Sequence, residues 1–141
     1  MKTTSHSIID SAVEQYEITK VFGLFSGGHD SLCATHTASS HPAFVGAVHI
    51  NTGIGVPQTR EFVYETCKEH RWELFEYHPP QTYRELVLEY GFPGPPMHTL
   101  MYNRLKERCL RQLTKQHKTH RLEHIGLITG VRSEESSRRM R

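Results

Sequence analysis

No run in the sequence approaches the ~20 apolar residues that cross a bilayer, so no membrane partner is expected. Cysteine is scarce. Cys33, Cys67 and Cys109 are the only three in 141 residues, and they form no CxxC pair. An odd, dispersed set of this kind reads as reduced thiols. The opening MKTTSHSIIDSAVEQY lacks an apolar signal-peptide core, which makes the cytoplasm the expected compartment. No excess of one charge is present either: the net charge is +2, too small for a global field that would draw in nucleic acid. Internal repeats and low-complexity segments are absent. What remains, with 36% hydrophobic and 23% charged residues, is the composition of one globular domain over residues 1–141.

The stretch that organises the chain is KVFGLFSGGHDS, from Lys20 to Ser31. Val21 to Phe25 is an apolar run of strand length. Gly27 and Gly28 free the backbone to turn where a Cβ would clash, and Asp30 and Ser31 are residues that cap a helix. A strand, a glycine turn and a helix start place backbone N–H groups and a positive helix end together, which is an anion site and most often a phosphate site. The string is neither a Walker A loop nor a dinucleotide fingerprint.

Around it, strand and helix patterns alternate. An apolar stripe at Ile8, Ile9, Ala12, Val13 and Tyr16 predicts a helix over Ser7–Tyr16, and a second helix runs from Ser31 to about Ser39. Strand two is the apolar run Phe44–Ile50, as expected when both sheet faces are covered. A polar loop, Asn51–Pro57, leads to a helix over about Gln58–His70. Strand three is Glu73–Tyr77, and Thr82 with Glu85 forms a capping-box pattern opening a helix to about Tyr90. Gly91–Pro96 is a stiff loop, either a connector or a wall over a pocket. A long helix from His98 or Thr99 to about Lys118 precedes the last strand, His124–Thr129. The expected fold is therefore α/β, a doubly wound, mostly parallel sheet with helices on both faces. Its ligand belongs outside the C-terminal strand ends, where strand order reverses. Ser26–Ser31, Asn51–Pro57 and Gly130–Arg139 all follow strands and should converge there.

Histidine is abundant, at eleven residues. His117, His120 and His124 have spacings that one side of a helix would bring together. Cys33 with His36, and Cys67 with His70, are i,i+3 helical neighbours, and zinc would require both pairs to converge. The chain becomes rich in Lys and Arg from Arg104 onward and ends SSRRMR, either a solvated face or a cluster that meets phosphates.

Three motifs carry a family resemblance. SGGHDS at 26–31 resembles the SGGxDS signature of the PP-loop ATP pyrophosphatase superfamily. NTGIGVPQTREF at 51–62 resembles a segment of its phosphoadenosine phosphosulfate reductase branch, and GVRSEESSRR at 130–139 is similar to that branch's arginine motif. Arg104-Leu105-Lys106 resembles its Leu-Lys pair. The resemblance spans about residues 20–139 and implies an adenine-nucleotide ligand, either ATP or phosphoadenosine phosphosulfate. It implies nucleotide or phosphate contacts from Ser26, Gly27, Gly28, His29, Asp30, Ser31, Asn51, Thr52, Gly53, Gly130, Arg132, Glu135 and Arg139. Asp30 either caps its helix or faces Mg²⁺, and with Lys106 it is a candidate catalytic residue.

The departures are Asn at 51 in place of Asp, and no Cys-Thr pair before Leu105. The resemblance implies a nucleophilic cysteine in a C-terminal tail, whereas this sequence stops at Arg141, and it implies a fold that continues past the arginine motif. The three cysteines present read as packing residues. Three functions stay open: sulfonucleotide reduction to sulfite with a thiol reductant; an ATP pyrophosphatase adenylating an acceptor in sulfur transfer or nucleic-acid modification; and a nucleotide-binding module without chemistry in a larger assembly. A complete chain of this length would have an open pocket side, closed by a partner protein or by self-association as a homo-oligomer.

Overall fold

The computed structural model describes residues 4–53, 56–92, 94–97, 100–101 and 103–130. Its four strands are β1 (Ile18–Leu24), β2 (Phe44–Ile50), β3 (Leu74–Tyr77) and β4 (His124–Ile128). They form one sheet in the order β3-β2-β1-β4, with every neighbouring pair parallel. The helices are α1 (Thr4–Gln15), α2 (His29–Ser39), α3 (Pro57–His70), α4 (Tyr83–Tyr90) and α5 (Arg108–His117).

Successive strand side chains point to opposite faces, and here both faces are covered. Phe22, Val48 and Tyr77 pack with Cys109 and Leu113 of α5. On the other face Phe25 and Ala47 meet Val63 and Cys67 of α3, and Val21 meets Ile9 of α1 and Ala38 of α2. Helices on both faces are thus what the sheet's apolar strands require. Each fully buried large side chain contributes about 1.5–3 kcal/mol. A further cluster, Leu86 with Met101 and Leu105, ties α4 to the segment before α5.

Local chemistry sets several boundaries. Pro57 opens α3, and Arg71 ends it in the left-handed region at φ 60°. Thr82 caps α4, its hydroxyl accepting from the Glu85 amide at 3.1 Å. The pairing of β1 with β2 shifts at one point: Val21 stands opposite Phe44 but Phe22 opposite Gly46. A Cβ on Gly46 would lie 2.4 Å from the Glu73 carbonyl oxygen, so β2 needs glycine where the chain enters β3.

Three expectations are corrected. The long helix carries a π turn over Asn103–Glu107, which runs directly into α5, and it stops at His117. Consequently His117, His120 and His124 share no helical face, since His120 lies in the following turn and His124 opens β4. The cause is the buried Glu123, whose carboxylate accepts from the Thr119 amide at 2.9 Å and from its hydroxyl, and pairs with Lys20 at 2.9 Å. Lys20 also donates to the His117 carbonyl, anchoring the helix end. His117 packs its ring edgewise on Phe22 and Phe75, at 4.9 and 4.8 Å. Finally, α2 begins at His29, with Gly28 as its N-cap and no side-chain cap bond. Asp30 therefore sits in the first turn and does not cap the helix.

Candidate functional site

Strands β2 and β3 lie on one side of β1, and β4 lies on the other. The strand order therefore reverses between β1 and β4, and a ligand crevice is expected beyond their C-terminal ends. The backbone there is tightly fixed. The Phe25 amide donates to the Val48 carbonyl at 2.8 Å. The Phe25 carbonyl accepts from Nδ1 of the buried His49 at 3.0 Å. A carbonyl only accepts, so that nitrogen carries the proton.

The loop that follows closes on itself through Ser31. Its hydroxyl accepts from the Ser26 amide at 3.2 Å, donates to the Gly28 carbonyl at 3.1 Å and lies 3.1 Å from the Ser26 hydroxyl. Ser31 is buried, so its side chain shapes the loop. Ser26, Gly28, His29 and Asp30 are exposed at the rim. The first helical bond joins the Leu32 amide to the Gly28 carbonyl at 3.0 Å. The amides before it belong to the turn that an α-helix leaves outside its own ladder.

Two close contacts bring the other motif-bearing segments to this loop. Gly27 has φ 97°, and a Cβ on it would lie 2.6 Å from Cγ2 of Thr59 in the first turn of α3. A Cβ on Gly130 would lie 2.5 Å from the carbonyl carbon and oxygen of Asp30 and 2.6 Å from the Ser31 amide nitrogen. The segment after β4 thus presses its backbone against the start of α2. Asn51, at the end of β2, donates its amide to the Tyr77 carbonyl at 2.8 Å. Its side-chain oxygen accepts from the Gly53 amide at 3.1 Å, turning the loop, with Gly53 at φ 83°. Thr52 lies half-buried between them.

A cavity of about 490 Å³ adjoins the loop, lined by Ile8, Ile9, Asp30, Cys33, Ile128 and Gly130 among others. Asp30 is the acidic residue in its lining. Among the described residues no three His, Cys, Asp or Glu side chains are grouped so as to hold a metal ion. Lys106 is exposed in the π turn and does not line this cavity. Arg132, Glu135 and Arg139 lie outside the described residues. Cys67 and Cys109 are buried, and burial pushes the Cys67 thiol up to about 11 and raises that of Cys109. Both are packing residues. Cys33 is exposed on α2.

Several supporting residues escaped the sequence reading. Arg60, one residue after Thr59, donates to both carboxylate oxygens of Glu76 at 2.9 Å and to the Tyr64 hydroxyl at 3.2 Å. The guanidinium holds the Glu76 carboxyl below its usual range. His78 reaches the same carboxylate at 3.1 Å. This group locks the start of α3 to the C-terminal end of β3. A lone acid in the apolar run LFEY, and a lone histidine in FVGAVHI, were the signals available.

The model of the phosphoadenosine phosphosulfate reductase domain matches residues 20–141. The chain belongs to this family. Among solved structures it is similar to a phosphoadenylyl-sulfate reductase from Candida auris, described as a phosphate complex. That match has 17% identity and a TM-score of 0.62, and covers 94% of this chain and 63% of the other. The fold is thus that of the reductase family, and the chain spans about 63% of that relative's length. No curated protein matches in sequence. The reductase-domain match begins at Lys20 and takes in all three sequence motifs.

Proposed function

We propose that the chain is the nucleotide-binding part of a phosphoadenosine phosphosulfate reductase. One observation carries this reading: the loop after β1, the first turn of α3 and the segment after β4 come together at the strand-order reversal, through Gly27 on Thr59 and Gly130 on Asp30 and Ser31. Amides of the first turn of α2, from His29 to Ser31, with the Ser26 hydroxyl, hold the ligand's terminal sulfate or phosphate. Asn51, Thr52 and Gly53, one strand over, face its adenosine. Arg132 and Arg139 are fork-shaped donors that answer the phosphates from the chain's end, with Glu135 orienting one of them. The relative from Candida auris is described with phosphate bound, an anion of the class such a loop takes.

The sulfuryl group passes to a thiolate. The sulfur–oxygen bond to the nucleotide phosphate breaks as a sulfur–sulfur bond forms, and a thiol reductant then supplies the two electrons that release sulfite. Burial takes Cys67 and Cys109 out of this role; Cys33 is exposed and lines the cavity beside the loop, whereas the family resemblance implies a nucleophile carried in a C-terminal tail. The work of these residues is binding and orientation. The second reading, adenylation of an acceptor with ATP, rests on the SGGHDS loop itself, which resembles that of the ATP pyrophosphatases. In it Mg²⁺ enters with the nucleotide and Asp30 faces it.

Calorimetric titration separates the two. The sulfated nucleotide should bind at least tenfold more tightly than ATP with Mg²⁺. Tighter binding of ATP, with pyrophosphate release, would overturn the reductase assignment.

A further inference from the structure

The sequence pairs Cys33 with His36 and Cys67 with His70 at helical spacing, and the structure brings only the histidines together. His36 stands in the last turn of α2 and His70 is the last residue of α3. Each of these helix ends leads into the start of the next strand, away from the loops that follow the strands. Their rings are 5.7 Å apart, edge to face at 81°. Cys67 is buried in the core beneath α3, and Cys33 turns toward the cavity beside α1, so neither thiol joins them.

The His70 ring is held on two sides. Its Nδ1 lies 2.9 Å from the Thr66 carbonyl, which only accepts, so Nδ1 carries the proton and Nε2 carries the lone pair. A backbone carbonyl that fixes the tautomer in this way is the usual support of a metal-binding histidine. Trp72 stacks on the ring at 4.5 Å and 20°. Both histidines are solvent-accessible. Two imidazoles on one tetrahedral ion, at metal–nitrogen distances of about 2.0–2.1 Å, place their ring centres about 5 Å apart, against the 5.7 Å seen.

We propose that His36 and His70 form a two-imidazole site for a divalent transition ion of the Zn²⁺ or Cu²⁺ class, water completing its coordination, which clasps α2 to α3. Imidazole pairs suit these ions, whereas Mg²⁺ and Ca²⁺ call for oxygen donors. Because α2 starts at the phosphate loop and α3 starts at Thr59, a clasp at their far ends would stiffen the pair of helices that frames the nucleotide site.

Trp72 is the only tryptophan in the chain, so its emission reports this site directly. Titrating Cu²⁺ into the full chain should quench that emission saturably at micromolar ion, with one ion per chain. His36→Gln and His70→Gln should each weaken the effect at least tenfold, while His120→Gln, in the turn after α5, leaves it unchanged. Zn²⁺ should raise the melting temperature of the wild-type chain and of neither site variant. His36→Gln keeps the test sound if His70→Gln unfolds, since the His36 side chain is exposed. No quenching, or quenching unchanged in His36→Gln, would overturn the proposal.

Discussion

Replacing Gly130 with alanine should loosen the chain at the site itself. The new Cβ would sit 2.5 Å from Asp30 carbonyl atoms and 2.6 Å from the Ser31 nitrogen, where real Cβ atoms essentially never come within 3.0 Å. These are backbone atoms of the first turn of α2, so no side chain can swing aside. Either β4's end or the helix start must move. Overpacking of this kind costs about 1–3 kcal/mol. The entropy of unfolding is about 2.1 cal/mol/K per residue. Over 141 residues that makes about 0.3 kcal/mol/K, so the melting temperature should fall by about 3–10 °C. Because the displaced atoms belong to the anion loop, nucleotide affinity should fall by tenfold or more as well. Scanning calorimetry and isothermal titration read the two effects separately. A variant that melts and binds like the wild type would show that the segment after β4 does not rest on the loop.

Other outcomes follow from the same geometry. Gly27→Ala should destabilise by about 1 kcal/mol from its positive φ alone, and Thr59→Ser should relieve part of any further cost, because the crowding atom is the Thr59 methyl; equal melting temperatures for wild type and Gly27→Ala would contradict this. A thiol reagent at pH 7.5 should label Cys33 rapidly and Cys67 and Cys109 only after unfolding, since both are buried with raised thiol pKa values; two fast thiols would be inconsistent with the packing described. Arg60 lowers the folded-state pKa of Glu76, so the stability this pair contributes is present above the ordinary carboxylate pKa of about 4.3 and is lost as pH falls through the lower folded value. Glu76→Gln should therefore lower the melting temperature at pH 7, and the gap to wild type should close in acid; a gap unchanged down to pH 2 would refute the role given to the pair.

Much of this could be read from residue order. The apolar run Phe44–Ile50 is β2 to the residue, because an apolar stretch of strand length between a proline turn and a polar loop has few alternatives. The alternation of strands and helices led to the parallel sheet. Other features were invisible for physical reasons. A π turn adds one residue to a helical repeat, so the apolar stripe through Leu105 and Cys109 does not reveal the change of pitch. The histidines after α5 have helical spacing, yet a buried carboxylate five residues beyond Lys118 pulls the chain out of the helix. Asp30 and Ser31 look like caps, but the turn at Gly27 starts α2 early and leaves the cap to Gly28. The meeting of Gly27 with Thr59, and of His36 with His70, joins distant parts of the chain that no local pattern relates.

The central claim is that backbone amides after β1 hold the ligand's anionic group, and Gly28 tests it most directly. At φ −90° it has ordinary backbone, and a Cβ there would meet only the Ser26 hydroxyl oxygen, at 3.8 Å. Gly28→Val should thus fold and melt like the wild type while its side chain fills the space over the loop. In a calorimetric titration with phosphoadenosine phosphosulfate the account predicts binding by the wild type and at least a tenfold loss in Gly28→Val. Equal affinity in the two proteins would contradict it.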